Sequence, residues 1–503
     1  MIAEYDAFDY KNHFHEHPFG RKVNTRINAG VSYVLKDRIQ VSVNTVRGEK
    51  IAATGSIRYP LGTSEGFFPK IDDPSPYLSP VDTESLGFSR PDYDFAQELA
   101  YAFSEQGLDL YKASLLNEEG ETELWLKIVN NRYREEKEVR TRIEHVLSAL
   151  TPSNICKIIV VIEADATPAL SYVFRRDDLY RYRCGIIGDV ELATLSPMKE
   201  PCCFPGVYDA DPIFQRKKDI WTFTFRPRLL TFFGSANGKI KYDVGLIASP
   251  EGYLFDEIYY KIQAGYSINA STANLAAMDR LNPSHLYNVR TDTIKYFQSN
   301  TVSLEQAYVQ KSFALPQGWF TRLAAGYFEP AYGGGAGEIL YYPVDSNWAI
   351  GADFACVLKR RYHGIAFTHK IRIEEGHVPL YKPFTGIQYF LDLYYELKPL
   401  SLDFKFSFGQ FLAKDKGVRS EVTRYFQSGL RFSLWYTWTN GHDKVNGSTY
   451  HDKGFAFTLP LDFFLKQSSR NYMTYAMSAW LRDVGAIAET GKGLYRTLYN
   501  ERH

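Results

Sequence analysis

Cysteine and methionine are scarce, five of each in 503 residues, and the cysteine pattern removes whole classes of protein. Cys156, Cys184, Cys202, Cys203 and Cys356 contain no CxxC pair, which excludes zinc-ribbon and thioredoxin-like sites. The adjacent Cys202 and Cys203 could close a strained vicinal disulfide, against the plainer reading of two ordinary thiols. Neither sign of charge is in excess: Lys+Arg and Asp+Glu are 58 each, so no basic footprint argues for nucleic acid. No apolar run approaches the roughly 18 residues of a membrane-crossing helix. GxSxG and HExxH are missing, and with them the nucleophile elbow and the zincin helix. The opening MIAEYDAFDYKNHFHEHPFG shows neither a basic stretch before an apolar core nor a cysteine for lipidation. An exported protein would therefore have its start upstream of Met1.

Aromatic residues are what the chain has in plenty, 16% of the total, with 37 Tyr and 34 Phe. Such residues favour strands and membrane interfaces. From about residue 215 a period of two recurs. Trp221, Phe223 and Phe225 alternate with Thr222, Thr224, Arg226 and Arg228. Tyr242, Val244, Leu246 and Ala248 alternate with Lys241, Asp243 and Gly245. Ile258, Tyr260, Ile262, Ala264, Tyr266 and Ile268 alternate with Tyr259, Lys261, Gln263, Gly265 and Ser267. Trp319, Thr321, Leu323, Ala325 and Tyr327 oppose Phe320, Arg322, Ala324, Gly326 and Phe328. Leu402, Phe404, Phe406 and Phe408 oppose Asp403, Lys405, Ser407 and Gly409. Phe432, Leu434, Tyr436 and Trp438 oppose Arg431, Ser433 and Thr437. Several of these segments are near the about 9–11 residues that a tilted spanning strand needs. The competing description is a large soluble sandwich with one face inward. Tyr and Trp capping the apolar face, and charges in mid-strand on the other, favour the transmembrane barrel.

The remaining chain divides by composition. Residues 1–25 read as an irregular tail, and 26–59 as three antiparallel strands in a meander, too few to close a sheet. Residues 60–92 are rich in Pro, Gly, Ser and Asp and read as a linker. Residues 93–176 follow the order helix, strand, strand, helix, strand, strand, a small α+β domain with Asp94 as helix cap. Residues 177–214 are a connector, 215–490 the barrel and 491–503 a C-terminal tail.

The run YFEPAYGGGAGEILYYP, Tyr327 to Pro343, resembles a motif of the YjbH family of exopolysaccharide-biosynthesis outer-membrane proteins. Glu329, Tyr332, Gly333, Gly334, Gly337, Glu338, Leu340, Tyr341 and Pro343 carry the likeness. Similar runs are NNRYR (Asn130 to Arg134), NVRTD (Asn288 to Asp292), GQFLAKDKG (Gly409 to Gly417), DKGFAFTLPLDFF (Asp452 to Phe464) and LRD near Leu481. Together they cover roughly residues 20–490. The resemblance implies a bacterial outer-membrane protein of two β-barrels joined through a periplasmic α/β portion, acting in exopolysaccharide or capsule biosynthesis or export. Against that pattern this chain reads as an N-terminally shortened relative, or as one whose true start lies upstream, and 26–59 read as the remnant strands of a first barrel.

Arg226, Arg228, Lys261, Arg322, Asp403, Lys405 and Arg431 are the candidate lumen residues, of mixed sign and able to satisfy one another. Glu329 and Glu338 could form an acid–base pair on a glycan; the simpler reading gives the glycines tight backbone and the glutamates arginine partners. His13, His15 and His17 could share a face of a strand and hold a metal, against the simpler reading of a solvated tail. The expectation is a non-enzymatic barrel without metal or cofactor. Its partners would be polysaccharide, outer-membrane lipid and, through the α+β domain, other secretion proteins. A barrel-borne glycan-modifying enzyme and a soluble all-β carbohydrate-binding protein are the alternatives.

Overall fold

A computed structural model describes the chain except for residues 1, 8–23, 36–37, 59–65, 83, 119, 202–210, 236–237, 274–281, 298–300, 376–377 and 479–480. The HFHEH run and Cys202-Cys203 lie outside the described residues. Cys156, Cys184 and Cys356 are free and exposed. The chain falls into two compact units, residues 1–64 and 65–503.

The first unit is a four-stranded antiparallel sheet, β1 (Ile2–Tyr5), β2 (Ile27–Leu35), β3 (Ile39–Val46) and β4 (Lys50–Ile57), paired in that order. The stretch 1–25 is therefore not wholly irregular, because its first residues add a strand to the edge of β2. Val31, Tyr33, Val41 and Val43 are exposed. The opposite face is polar and better covered, with Ser32 and Ser42 sharing a 2.8 Å hydroxyl contact.

The second unit begins with an α+β domain: α1 (Asp92–Glu105), β5 (Leu108–Glu118), β6 (Glu121–Asn130), α2 (Glu136–Leu150), β7 (Ile155–Ala164), β8 (Thr167–Arg175), α3 (Arg176–Arg183) and α4 (Asp189–Leu195). Its five-stranded sheet runs β8-β7-β6-β5-β9, the last being β9 (Pro212–Gln215) from the stretch expected to be a plain connector. Phe95, Leu99 and Phe103 of α1 and Val139, Ile143 and Leu147 of α2 bury one helical stripe each into a single core. Asp94 is not the cap. The helix starts at Asp92 after Pro91, whose fixed φ suits a helix entry, so Asp94 sits in the first turn with Asp92 and complements the helix dipole.

The rest is a fourteen-stranded sheet. It comprises β10 (Thr222–Ser235), β11 (Gly238–Leu254), β12 (Ile258–Ala270), β13 (Val302–Leu315), β14 (Trp319–Tyr327), β15 (Tyr332–Tyr341), β16 (Trp348–Arg360) and a short β17 (Phe367–Thr368) beside β16. A hairpin, β18 (Lys370–Glu375) with β19 (Val378–Pro383), stands apart. The sheet resumes with β20 (Gly386–Leu397), β21 (Leu402–Gln410), β22 (Lys416–Tyr425) and β23 (Arg431–Thr439). A two-residue hairpin, β24 (Lys444–Val445) with β25 (Ser448–Thr449), interrupts it before β26 (Lys453–Pro460) and β27 (Tyr472–Ser478). Every neighbour pair is antiparallel, so the chain is mainly β and this sheet is one long meander. Its first and last strands approach: Thr231 Oγ1 of β10 lies 2.5 Å from Tyr475 Oη of β27.

Burial on this sheet is inverted relative to a soluble core. Along β20 the residues Ile387, Tyr389, Leu391, Leu393 and Tyr395 are exposed, while Gln388, Asp392 and Glu396 are buried. Trp221, Phe223, Phe225, Leu246, Leu323, Leu434 and Trp438 are likewise exposed. Among the described residues no helix is long and apolar enough to cross a membrane.

Antiparallel alternation fixes which end each connection occupies. The long connections 271–301, 361–385 and 440–452 share one end with 328–331 and 411–415. The other end carries 255–257, 316–318, 342–347, 398–401, 426–430 and 461–471. The α+β domain packs against this short-turn end. Arg134 Nε reaches Asp462 at 3.0 Å, Arg470 Nη1 donates to Asn130 O at 2.8 Å, and Val344 N donates to Glu200 Oε1 at 2.6 Å.

Candidate functional site

The candidate site is the polar face of the large sheet, and part of it is covered by residues 481–503. After β27 the backbone turns at the long-loop end and runs back along the interior. It ends in α5 (Leu494–Arg502), which packs Leu494 and Leu498 against Ala164 and Ala169 of the α+β domain and Phe320 and Leu340 of the sheet. The stretch expected to be a loose tail, 491–503, is thus one of the better-packed parts of the molecule. Its apolar positions 494, 495, 498 and 499 make a helical stripe, short but legible.

The turn at the long-loop end is built on Asp483. This buried carboxylate accepts Arg290 N at 2.7 Å, Thr291 N at 3.0 Å and Asn288 Nδ2 at 3.0 Å. Burial still pushes its pKa up to about 6. Next to it Lys359 Nζ donates to both carboxylate oxygens of Asp292, at 2.5 and 2.6 Å, and to Asn288 O at 3.2 Å, so the cation is fully engaged. Tyr332 Oη donates to Val289 O at 3.0 Å. Gly485 N donates to Asp415 Oδ2 at 2.8 Å, and Leu412 N to Ala486 O at 2.9 Å.

Descending from there, each step is held by a side chain of the sheet. Arg290 pairs with Glu329 through both guanidinium nitrogens, at 2.5 and 3.0 Å, and also donates to Ile487 O. Gln388 makes a two-way amide clamp with Ala488, Nε2 to O at 3.0 Å and N to Oε1 at 2.8 Å. Gln310 does the same with Lys492, at 3.1 and 2.9 Å. Arg322 Nε donates to Glu338 at 2.8 Å while its Nη1 donates to Thr490 O. Glu338 in turn accepts Leu494 N at 3.2 Å. The helix α5 opens on Gly493, which has no capping side chain, so a strand carboxylate supplies the missing acceptor. Gly491 carries φ +96°, and a Cβ there would stand 2.5 Å from Gln310 Oε1, so this close approach requires glycine.

The motif residues therefore meet. Glu329 and Glu338 each bind an arginine and the returning segment. Gly333 and Gly334 permit close strands: a Cβ on Gly334 would lie 2.1 Å from Cys356 O, and one on Gly333 would meet the Phe367 ring at 3.0 Å. Gly337 has ordinary space around it, its nearest neighbour at 3.5 Å, so no crowding requires glycine there. Tyr341 faces outward between Trp319 and Trp348, ring centroids 4.9 and 5.8 Å away. NVRTD meets LRD through Asp483, GQFLAKDKG meets the same turn through Asp415, and NNRYR meets LPLDFF through the Arg134–Asp462 pair.

Of the candidate lumen residues, Arg228 is buried between Asp243 at 3.2 Å and Glu305 at 3.1 Å. Lys261 is half-buried with Glu251 at 3.9 Å, Lys405 pairs with Asp392 at 3.1 Å, and Asp403 accepts Tyr495 Oη at 3.1 Å. Arg431 reaches Asn500 at 2.8 Å. Arg226 shares their face but is exposed. Residues missed by sequence reasoning are Gln310, Gln388, Arg290 and Asp483, all of which hold the returning segment. Their signal was slight, a polar residue within an alternating strand or a short motif in a loop. Among the described residues no group of three His, Cys, Asp or Glu could hold a metal.

Two cavities, of about 480 and 370 Å³, adjoin the returning segment; the first lies against β21 to β27, and the second also reaches Arg322, Glu338 and Asp353 on β14, β15 and β16. They share Lys405, Glu421, Ile487 and Glu489 in their walls.

A mainly β chain with one long antiparallel meander, a polar inner face and a small α+β domain defines the class. The exopolysaccharide biosynthesis protein family YjbH matches residues 1–500, and the chain belongs to that family. It is 28% identical over 276 residues to a protein of Escherichia coli (strain K12) named uncharacterized lipoprotein YjbH. That match covers 53% of this chain and 37% of the relative's length. Among solved structures, a loop-deletion mutant of OmpT, an outer membrane protein of Vibrio cholerae, is similar at 9% identity and a TM-score of 0.24. The likeness covers 48% of this chain and 87% of that one.

Proposed function

We propose that this chain is a non-catalytic outer-membrane β-barrel protein that takes part in exopolysaccharide or capsule biosynthesis or export. The observation that carries the reading is the inverted burial of the large sheet. Lipid accepts the outer row of Leu, Ile, Val, Tyr and Trp, and a polar interior accepts the charges. Water on both faces would leave that outer row unexplained. In such barrels turns on the periplasmic side are short and outer loops longer. The α+β domain then belongs in the periplasm, where other secretion proteins meet it. The four-stranded first unit has the same inverted faces and is a further piece of barrel wall. Glu329 and Glu338 are occupied by arginines and by backbone, which supports a structural use.

Heat-modifiable migration on a gel and recovery in the outer-membrane fraction are expected. A protein that stays soluble without detergent would sink the proposal. Replacing Glu329 and Glu338 together by Gln should leave the linkages of the secreted polymer unchanged; altered linkages would favour a glycan-modifying enzyme.

A further inference from the structure

The returning segment is bonded to one side of the interior. Residues 487–494 find their partners on β13, β14, β15 and β20 and at Arg290 and Asp165. Among the described residues they make no hydrogen bond to β22, β23, β26 or β27. The upper cavity lies on that far side, and the lower one, which shares Lys405, Glu421, Ile487 and Glu489 with it, reaches back under the segment to Arg322, Glu338 and Asp353. The upper cavity reaches Arg482 and Gly485 at the long-loop end, and the lower reaches Tyr495 and Tyr499 at the short-turn end. Together the two cavities make a cleft beside the segment, from the long-loop end to Tyr495 and Tyr499 of α5.

Its floor is a level row of small side chains on consecutive strands, since Thr423, Ser433, Ala456 and Ala476 stand opposite one another in register. Its polar groups keep bonding capacity in hand. Asp392 is buried, yet its Oδ1 has no hydrogen-bond partner. Asp353, Glu421 and Arg496 line the lower cavity without a protein hydrogen bond or ion pair among the described residues. Trp435 presents an indole to the upper one. Unspent acceptors and donors of both signs, with aromatic surface and small residues beneath, suit hydroxyl-rich rings. A polyanion would meet Asp353, Asp392, Glu421 and Asp452 along the way, and with Lys405, Arg419 and Arg496 among them the walls present both signs of charge rather than a cationic track.

We infer that a neutral saccharide chain passes through the interior along this side, between residues 487–496 and β21 to β27, with the returning segment as the fixed opposite wall. The inference rests on the outer-membrane barrel proposed above. The test uses the full chain in planar lipid bilayers, with potassium chloride as carrier and isomaltoheptaose as the neutral probe. The wild type should conduct, and the probe should interrupt the current. Ala456→Trp, or the smaller Ala476→Leu, should cut conductance several-fold and remove the interruptions. Leu434→Trp, on the outer face, should leave both as they were. Unchanged current and interruptions in the Ala456 and Ala476 variants would overturn the route while leaving the barrel intact. Equal interruption by an oligogalacturonate would overturn the preference for a neutral chain. Failure of the wild type to insert would remove the barrel, and the passage with it.

Discussion

Glu338 performs two tasks with one carboxylate: it neutralises Arg322, only 2% exposed, and it caps α5 through Leu494 N. Removing it leaves a buried guanidinium without its anion, the expensive half of breaking a buried pair. Glu338→Ala is expected to destabilise the protein by about 3 kcal/mol, read as the urea midpoint in detergent. Trypsin should also cut sooner at Lys492 and Arg496 in the variant than in the wild type, and Glu338→Gln, which retains an acceptor, should fall between them. Equal midpoints and equal cleavage would refute the capping role. Both partners stood in the sequence, Glu338 in a family-like motif and Arg322 among the lumen candidates. What could not be read was their pairing. Register across β14 and β15 sets Arg322 opposite Glu338, and register follows from turn geometry that the glycine-rich run leaves open.

At the scale of elements, the strands were legible because a period of two survives wherever one face meets one environment. The helices α1 and α2 were legible through their apolar stripes, to within a residue or two at their ends, whereas the short α3 and α4 lie in the stretch read as a connector. The returning segment was not legible. VGAIAETGKG has neither period, and its partners lie between 70 and 327 residues upstream, so nothing local announces its course. Its first anchor sets a pH dependence. Asp483 titrates near 6 in the folded protein, above its ordinary carboxylate range, because burial disfavours its charge. A raised folded pKa means the anchor is most stable below about pH 4 and loses stability as pH rises through 6. Hydrogen exchange at residues 483–486 should therefore be slower at pH 5 than at pH 7.5 once corrected for intrinsic rates, by about 1 kcal/mol in opening free energy. A flat profile would show that the four donors around Asp483 outweigh its burial.

On the scale of the whole second unit, the α+β domain and the sheet are latched by few but buried contacts. Arg134 reaches Asp462, which is 1% exposed, from the end of the α+β sheet. Arg134→Ala should loosen the domain and expose the α2 region to limited proteolysis while the sheet keeps its heat-modifiable migration. Loss of both together would make the latch part of the sheet's own stability. The family motifs were visible one by one in the sequence, yet their common purpose was not, because four of them converge only through a segment that carries almost no pattern.

The cap on α5 also sets an order in time. A nine-residue helix is below the about 12–15 residues that hold a helix alone in water, and its acceptor is a glutamate 156 residues upstream. Until β14 and β15 have paired, no Glu338 waits beside Gly493, and no arginine holds Thr490. Residues 486–502 thus become ordered late, and can do so only over a finished wall. Ordering of residues 486–502 becomes a built-in report of completed assembly: a chain whose wall has failed keeps this end ragged and open to proteases.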